Sequence, residues 1–231
     1  ENVASEYGLN RELQDEFALE SHQRASRAIK NGLFKEQILP IEVKKGRTAV
    51  TFDTDEHVRD DVSLENLSKL RTVFKKDGTV TAGNASGIND GAAALVLMEK
   101  HEAERRGIKP LAQLVSYGHA GVDPRVMGLG PIPAVKSALQ KGNLTIGDID
   151  IVESNEAFAA QACAVSQSLE FDSTKTNPNG GAVALGHPVG ATGAIITIKA
   201  LYELNRIKGQ HALVTMCIGG GQGIAAIFKR I

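Results

Sequence analysis

Three polar side chains in the second half of the sequence stand where predicted strands give way to loops or helices. Cys217 ends the apolar run HALVTMC and precedes IGGGQG, Asn155 follows DIDIVES, and His187 lies in GGAVALGHPVG. The carboxyl ends of parallel strands meet at one edge of an open α/β sheet, where ligands bind. We therefore expect Cys217, Asn155 and His187 to converge on one crevice.

The types of these residues suit proton transfer and nucleophilic chemistry. His187 precedes a helix predicted to begin near Gly190, and the positive end of a helix keeps a nearby imidazole neutral. A neutral imidazole accepts protons near pH 7. The glycines after Cys217 let a substrate approach the backbone, and the N–H of Gly219 is placed to donate to an oxyanion.

Each residue also has a purely structural interpretation. His187 is then a loop histidine among turn glycines, Cys217 a small core residue, and Asn155 a helix cap. Cys163 differs from Cys217, because it lies within the alanine-rich helix EAFAAQACAVSQSLEF, which favours a core position. The convergence of three strand ends favours the functional interpretation for the other three residues.

Composition excludes several classes of function. The 231 residues carry a formal net charge of −1 without a long run of one sign, so nucleic acid is not an expected partner. No apolar run reaches the roughly 18 residues of a membrane helix. Two cysteines are too few for a disulfide framework, so a reducing, cytoplasmic compartment is expected. The histidines and cysteines lack metal-ligand spacing, and no metal site is predicted.

Strands and helices alternate in the second half. We predict helices at PAVKSALQKG, EAFAAQACAVSQSLEF and GATGAIITIKALYELNRI, and strands at LAQLVSYG, DIDIVESN, GGAVALG, HALVTMCI and GIAAIFKRI. Alternation implies parallel pairing through crossovers, with a final antiparallel hairpin. This half is predicted as a βαβαβαββ unit of the α/β class with a mixed five-stranded sheet.

The first half is more irregular. We predict a capped amphipathic helix over residues 10–31, a hairpin over residues 40–52, and a glycine- and asparagine-rich loop before AAALVLM. AAALVLM is predicted as a buried strand, which cannot pair alone and should belong to a sheet lying outside this sequence. The opening ENVASEYGLN has no methionine and no signal pattern, and it is typical of the middle of a protein.

Four ordered motifs carry a resemblance to a known family. GNASGINDGAA, NEAF, GHPVGATGA and CIGGGQG together resemble the thiolases, and the resemblance covers essentially the whole chain. The related condensing enzymes of fatty-acid synthesis carry a histidine where NEAF has Asn155, so that branch fits less well. The segment VDPRVMGLGPIPA, with Met127, is most similar to the short-chain, acetoacetyl-CoA branch.

The resemblance implies a division of the chain. Thiolases have two similar α/β halves and a loop domain that covers coenzyme A. Residues 1–88 would be the later part of the loop domain, residues 89–109 the last strand and helix of the N-terminal half, and residues 110–231 the C-terminal half. The family's nucleophilic cysteine lies in the N-terminal half, and no cysteine here matches it. We expect a C-terminal fragment that is inactive alone.

The resemblance also implies the reaction, in which two acetyl-CoA condense reversibly to acetoacetyl-CoA and coenzyme A. His187 would activate the nucleophile and, with a water held by Asn155, bind the enolate oxygen. Cys217 would move the α-proton, and Gly219 would contribute to a second oxyanion hole. Coenzyme A is a substrate, and no permanently bound cofactor is implied.

Contacts to coenzyme A follow from the same resemblance. Ser86 would lie near the pantetheine and Arg59 near the nucleotide, while Phe74, Met127 and Phe158 would line the pocket. Arginine suits phosphate and stacks on adenine, but Arg59 lies in a charged run typical of a solvated surface. Family members act in lipid metabolism as homodimers or homotetramers, so acyl-CoA substrates and a homo-oligomer are expected, without a membrane partner.

Two alternatives stay open. One is a longer-chain 3-ketoacyl-CoA thiolase of β-oxidation. The other is a non-catalytic module for coenzyme A binding or assembly. The second alternative does not require Asn155, His187 and Cys217 to be present together.

Overall fold

The computed structural model describes residues 1–231. The first part contains α1 (Asn2–Glu6), α2 (Arg11–Lys30), β1 (Ile41–Lys45), β2 (Thr48–Phe52), α3 (Leu64–Ser68) and α4 (Lys100–Arg105). The second part contains β3 (Ala112–Gly121), α5 (Pro131–Gly142), β4 (Ile151–Ser154), α6 (Ala159–Leu169), α7 (Ala182–Leu185), α8 (Thr192–Arg206), β5 (His211–Cys217) and β6 (Gln222–Arg230). Short 3-10 helices occur at Pro124–Leu129 and Ile146–Asp148.

The second part is built on a mixed sheet with the strand order β3-β6-β5-β4. β4 runs parallel to β5, whereas β6 pairs antiparallel with both β5 and β3. The predicted α/β class, the parallel crossover and the final antiparallel hairpin are therefore confirmed.

Helices cover both faces of this sheet. On one face, α5 and α6 pack Val135 and Val165 against Val152 and Leu213. On the other face, α8 packs against the alternate residues of the same strands. Because β4 and β5 are covered on both sides, they are apolar along much of their length instead of alternating between apolar and polar residues.

The prediction of a fifth strand was wrong. Residues 180–186 contain the short helix α7 in place of a strand, and the sheet has four strands. Gly180 and Gly186 have positive φ angles of 76° and 96°, which extended backbone does not allow. Glycines that looked like the ends of a strand therefore mark the two turns around α7.

The buried strand at residues 92–98, whose partner strands are expected outside this sequence, stays a prediction. These residues form no regular secondary structure, and Val96 and Leu97 are 87% and 77% exposed. A strand needs a partner for its backbone N–H and C=O groups, and this segment has none within the chain. The division of the chain at residues 88 and 109 remains a prediction.

The long helix α2 connects the irregular first part to the sheet. The side chain of Asn10 caps it by accepting a hydrogen bond of 2.9 Å from the N–H of Leu13, as predicted. Gly32 follows its end with a φ angle of 69°. α2 packs against α3, α6 and α7, and it thereby reaches the loops at the carboxyl edge of the sheet. None of the helices has the length and apolar character needed to cross a bilayer.

Candidate active site

The parallel pair β4–β5 brings two of the predicted residues to one edge of the sheet. Ser154 at the end of β4 lies opposite Thr215 in β5, and the N–H of Asn155 donates to the carbonyl of Thr215 over 2.9 Å. Cys217 ends β5 two residues later. Asn155 and Cys217 therefore leave the sheet at the same edge, as the sequence predicts.

His187 reaches this edge from the loop between α7 and α8. Its Nε2 atom lies 3.4 Å from Nδ2 of Asn155. Its backbone N–H donates to the carbonyl of Gly87 over 3.2 Å and to Oδ1 of Asn89 over 3.1 Å. The loop GNASGINDG thus holds the histidine from the other side. The predicted convergence of Asn155 and His187 is present in the structure.

The other ring nitrogen of His187 has a partner that sequence reasoning missed. Nδ1 lies 2.7 Å from Oγ1 of Thr192, the first residue of α8. Burial lowers the pKa of His187, which keeps the imidazole neutral at pH 7. The sequence argument expected the same neutrality from a helix N-terminus.

The amide of Asn155 has capacity for a further hydrogen bond. The residue is buried, and Oδ1 has no hydrogen-bond partner. Asn155 is not a helix cap, because α6 begins at Ala159 with Phe158 at the cap position. The structural interpretation of Asn155 therefore fails, and a buried amide with one free group faces His187.

Cys217 carries a buried thiol and is followed, after Ile218, by a turn of three glycines. It is 5% exposed, and burial raises the pKa of the thiol. Gly219, Gly220 and Gly221 all have positive φ angles, and a Cβ on Gly221 would lie 2.4 Å from the carbonyl oxygen of Val122. Around Gly219 the space is open and its N–H makes no hydrogen bond. The turn thus leaves a donor free beside Cys217.

Three of the predicted pocket residues line one cavity of about 290 Å³, namely Phe74, Met127 and Phe158. The rings of Phe74 and Phe158 meet edge to face with centroids 6.0 Å apart. Gln161 also lines this cavity, and both polar atoms of its buried amide lack partners. Ser86 does not line this cavity; its N–H donates to the carbonyl of Ala157, the residue before Phe158, over 3.1 Å.

Arg59 lies elsewhere. It lines a separate cavity of about 470 Å³ together with the basic residues Arg27 and Lys30. No carboxylate lies within ion-pair distance of its guanidinium, whereas Lys30 is 3.4 Å from Asp60. The structure does not bring Arg59 to the cavity of Phe74, so the predicted binding residues fall into two groups.

Glu156 is a further residue that the sequence analysis did not single out, although it stands in NEAF. It is buried, and its carboxylate accepts hydrogen bonds from Ser21 Oγ at 2.7 Å, Asn177 Nδ2 at 2.8 Å and the N–H of Val183 at 3.2 Å. Burial raises its pKa, against the effect of these donors. Glu156 directly follows Asn155 in the chain. Its carboxylate therefore links this position to α2 and to the segment that leads to His187.

The chain contains no group of three or more histidine, cysteine or acidic side chains arranged to hold a metal ion. The chemistry available at the sheet edge consists of a neutral imidazole, a buried thiol, an amide and a free backbone N–H. Groups of these types can move protons and bind an oxyanion.

Two family models match the sequence. The model described as "Thiolase, C-terminal domain" matches residues 108–230, and "Thiolase, N-terminal domain" matches residues 1–101. Beta-ketothiolase BktB of Cupriavidus necator is 67% identical over the whole chain, and an acetyl-CoA acetyltransferase of Shinella zoogloeoides is 53% identical. The chain spans 59% of the length of each of these relatives.

Solved structures show the same fold. The acetyl-CoA acetyltransferase of Bacillus anthracis superposes with a TM-score of 0.97 at 48% identity, over the whole of this chain and 58% of that one. Human mitochondrial 3-ketoacyl-CoA thiolase superposes with a TM-score of 0.95 at 46% identity, with the same coverage.

Proposed function

Since the chain belongs to the thiolase family, we propose that it forms part of an acyltransferase that condenses two acetyl-CoA reversibly to acetoacetyl-CoA and coenzyme A. The observation that carries this proposal is the meeting of His187 and Asn155 at 3.4 Å on the sheet edge where Cys217 also ends its strand. A binding module would not need a neutral base, a buried thiol and a free backbone donor at one edge.

The nucleophile in this proposal is a cysteine supplied from outside the 231 residues. Cys163 does not fit the role, because it is buried in α6 and burial raises its pKa to about 12. Cys217 has another task. We assign to His187 the removal of the proton from the external nucleophile, with Nε2 as the accepting atom.

In the thiolysis direction, the nucleophilic thiolate attacks the ketone carbon of acetoacetyl-CoA. The bond between the ketone carbon and the α-carbon breaks, and the electron pair leaves with the acetyl-CoA enolate. Protonated His187 and a water held by Asn155 donate to the enolate oxygen. The thiol of Cys217 gives its proton to the α-carbon and becomes a thiolate.

The second half of the reaction restores both thiols. Incoming coenzyme A gives its thiol proton to the Cys217 thiolate and attacks the acetyl group on the nucleophile. Acetyl-CoA forms, and the nucleophilic cysteine leaves as a thiolate that takes its proton back from His187. Burial supports this role of Cys217, because it keeps the resting group a protonated thiol and makes its thiolate a strong base.

The two cavities support binding of coenzyme A at opposite ends. The cavity of Phe74, Met127 and Phe158 suits the apolar pantetheine and a short acyl group. Ser86, bonded to the residue before Phe158, is proposed to contact the pantetheine. The unpaired guanidinium of Arg59 suits the nucleotide phosphates. The proposal includes a homo-oligomer, either a homodimer or a homotetramer, that acts in cytoplasmic lipid metabolism.

A longer-chain 3-ketoacyl-CoA thiolase is the second candidate. The superposition on human mitochondrial 3-ketoacyl-CoA thiolase is nearly as close as that on the Bacillus anthracis enzyme. The resemblance of the segment VDPRVMGLGPIPA, with Met127, to the short-chain branch favours the short substrate.

The test begins with the intact mass of the natural polypeptide that carries this sequence. If it has the relatives' length, it is assayed as it is. If its mass matches 231 residues, the N-terminal part of the Cupriavidus necator enzyme is first joined before Glu1. We call the protein assayed in either case the complete enzyme.

Thiolysis of acetoacetyl-CoA is then compared with thiolysis of 3-ketohexanoyl- and 3-ketodecanoyl-CoA. We expect the short substrate to be preferred, and C217S to lose roughly a hundredfold or more in kcat. The matched control is C163A, which removes the other buried thiol and should retain activity. Preference for the longest substrate would replace the first candidate by the second, and coenzyme A binding without turnover of any substrate would exclude both.

A further inference from the structure

The Nδ1 atom of His187 is hydrogen-bonded to a neutral hydroxyl. Oγ1 of Thr192 lies 2.7 Å from it, and Thr192 is buried. A histidine that acts as a base is usually oriented by a partner at its second nitrogen, often a carboxylate or a carbonyl. Here a side chain without charge occupies that position.

The hydrogen bonds of Thr192 decide which ring nitrogen of His187 carries the proton. The hydroxyl of Thr192 donates its single proton to the carbonyl of Pro188 over 2.9 Å. It therefore accepts from His187, which places a proton on Nδ1. Nε2 then carries the lone pair, and it faces the donor Nδ2 of Asn155 at 3.4 Å.

This arrangement matches what the proposed reaction requires of the ring. Nε2 must carry a lone pair to take the proton of the nucleophile, and after taking it must present an N–H to the enolate oxygen. Both steps take place with a proton resident on Nδ1. A neutral hydroxyl holds that proton without adding negative charge beside the ring, so the ring returns the Nε2 proton readily.

We propose that Thr192 is a positioning residue, whose hydroxyl fixes His187 in the Nδ1–H tautomer and aims Nε2 at the reacting groups. This inference rests on the proposed function for its catalytic consequence. The tautomer itself is a property of the folded protein, and it is measured without substrate.

The experiment compares T192S, T192V and wild type in the complete enzyme. Serine keeps the hydroxyl, whereas valine has the shape of threonine without it. The matched control is T197V, because Thr197 is also in α8 and its hydroxyl donates to the carbonyl of Gly193 over 2.8 Å without touching a histidine.

The first readout is the 15N chemical shifts of the labelled imidazoles, with His187 assigned through H187Q. We expect a protonated Nδ1 and an unprotonated Nε2 in wild type, T192S and T197V, and a mixture of tautomers in T192V. An unchanged tautomer in a folded T192V overturns the inference. So does a wild type in which Nε2 carries the proton.

The second readout is thiolysis. T192V should lose roughly tenfold or more in kcat with little change in KM for coenzyme A, T192S should recover most of it, and T197V should retain wild-type kcat. An equal loss in T192S and T192V overturns the inference. A complete wild-type enzyme without thiolysis activity refutes the proposed function, while the tautomer measurement still decides the role of Thr192.

Discussion

At the residue scale, burial shifts the pKa values of the titratable groups at the site. His187, Cys217 and Glu156 all have pKa values shifted by burial toward the uncharged form. This shift suits the proposed roles of His187 and Cys217 near pH 7. It keeps the imidazole of His187 unprotonated and able to accept a proton, and it keeps the thiol of Cys217 protonated and able to give one. Glu156 differs, because three donors surround its carboxylate and its role is to hold neighbouring segments together.

A second buried histidine gives a prediction about acid stability. Burial lowers the pKa of His22 from 6.5 to about 4, with the charges of His57 and Arg59 adding to the effect and Asp61 opposing it. Its Nδ1 accepts the N–H of Arg59 over 3.2 Å, which requires an unprotonated nitrogen. Protonation of His22 therefore breaks a contact beside the cavity that Arg59 lines.

The sign of this effect follows from proton linkage. Between the two pKa values the unfolded chain binds a proton that the folded chain excludes, so the free energy of unfolding falls as pH falls. The slope approaches about 1.4 kcal/mol per pH unit. We expect H22Q to reduce the difference in urea unfolding between about pH 7 and about pH 5. H101Q is the control, because His101 is exposed and its replacement should leave the change in unfolding free energy with pH as in wild type. The same pH dependence of unfolding in H22Q and wild type would contradict the prediction.

At the element scale, the segment between β4 and α8 is held by close approach to α2. The N–H of Gly181 donates to Ser21 Oγ over 3.1 Å, and Ser21 in turn donates to Glu156. A Cβ on Gly181 would lie 2.2 Å from the carboxyl carbon of Glu156. The start of α7 therefore fits against the carboxylate only because residue 181 has no side chain.

This contact predicts a large effect from one methyl group. G181A should destabilise the protein by about 1–3 kcal/mol through overpacking and should also lower kcat, because the displaced segment carries His187. Unfolding by urea and thiolysis by the complete enzyme measure the two effects. G147A is the control, since its Cβ would make only an ordinary contact of 3.6 Å with Thr145. A G181A protein as stable and active as G147A would show that the segment adapts freely.

At the scale of the whole molecule, the 231-residue chain exposes apolar surface both next to the site and away from it. Ile88, Val96 and Leu97 are largely exposed, and the edge strand β3 exposes Leu114 and Tyr117. Apolar side chains beside an unpaired strand edge are typical of interaction surfaces and favour association.

We predict that the 231-residue chain, prepared alone, self-associates in solution. Sedimentation velocity over a range of concentrations measures this association, and the complete enzyme at the same concentrations is the control. The complete enzyme should form one defined oligomer. A monodisperse monomer of the 231-residue chain that unfolds cooperatively would show that the exposed surface is tolerated.

Much of the candidate site could be predicted from the sequence because its residues follow local patterns. Asn155 and Cys217 follow or end apolar strands, and the glycines after Cys217 mark a turn that sequence alone identifies. The pairing of β4 with β5 then brings Asn155 and Cys217 to one edge by topology, since parallel strands share their carboxyl end.

Only the tertiary structure decided the features that depend on partners distant in the sequence. The residues around α7 resemble a strand until the contact of Gly181 with Glu156 and the positive φ angles beside it are known. Residues 92–98 have the composition of a strand but no partner strand. The choice of Thr192 as the Nδ1 partner of His187 likewise depends on the geometry of the loop before α8. Composition and periodicity report what a segment prefers, whereas pairing and close approach are decided by what the fold places against it.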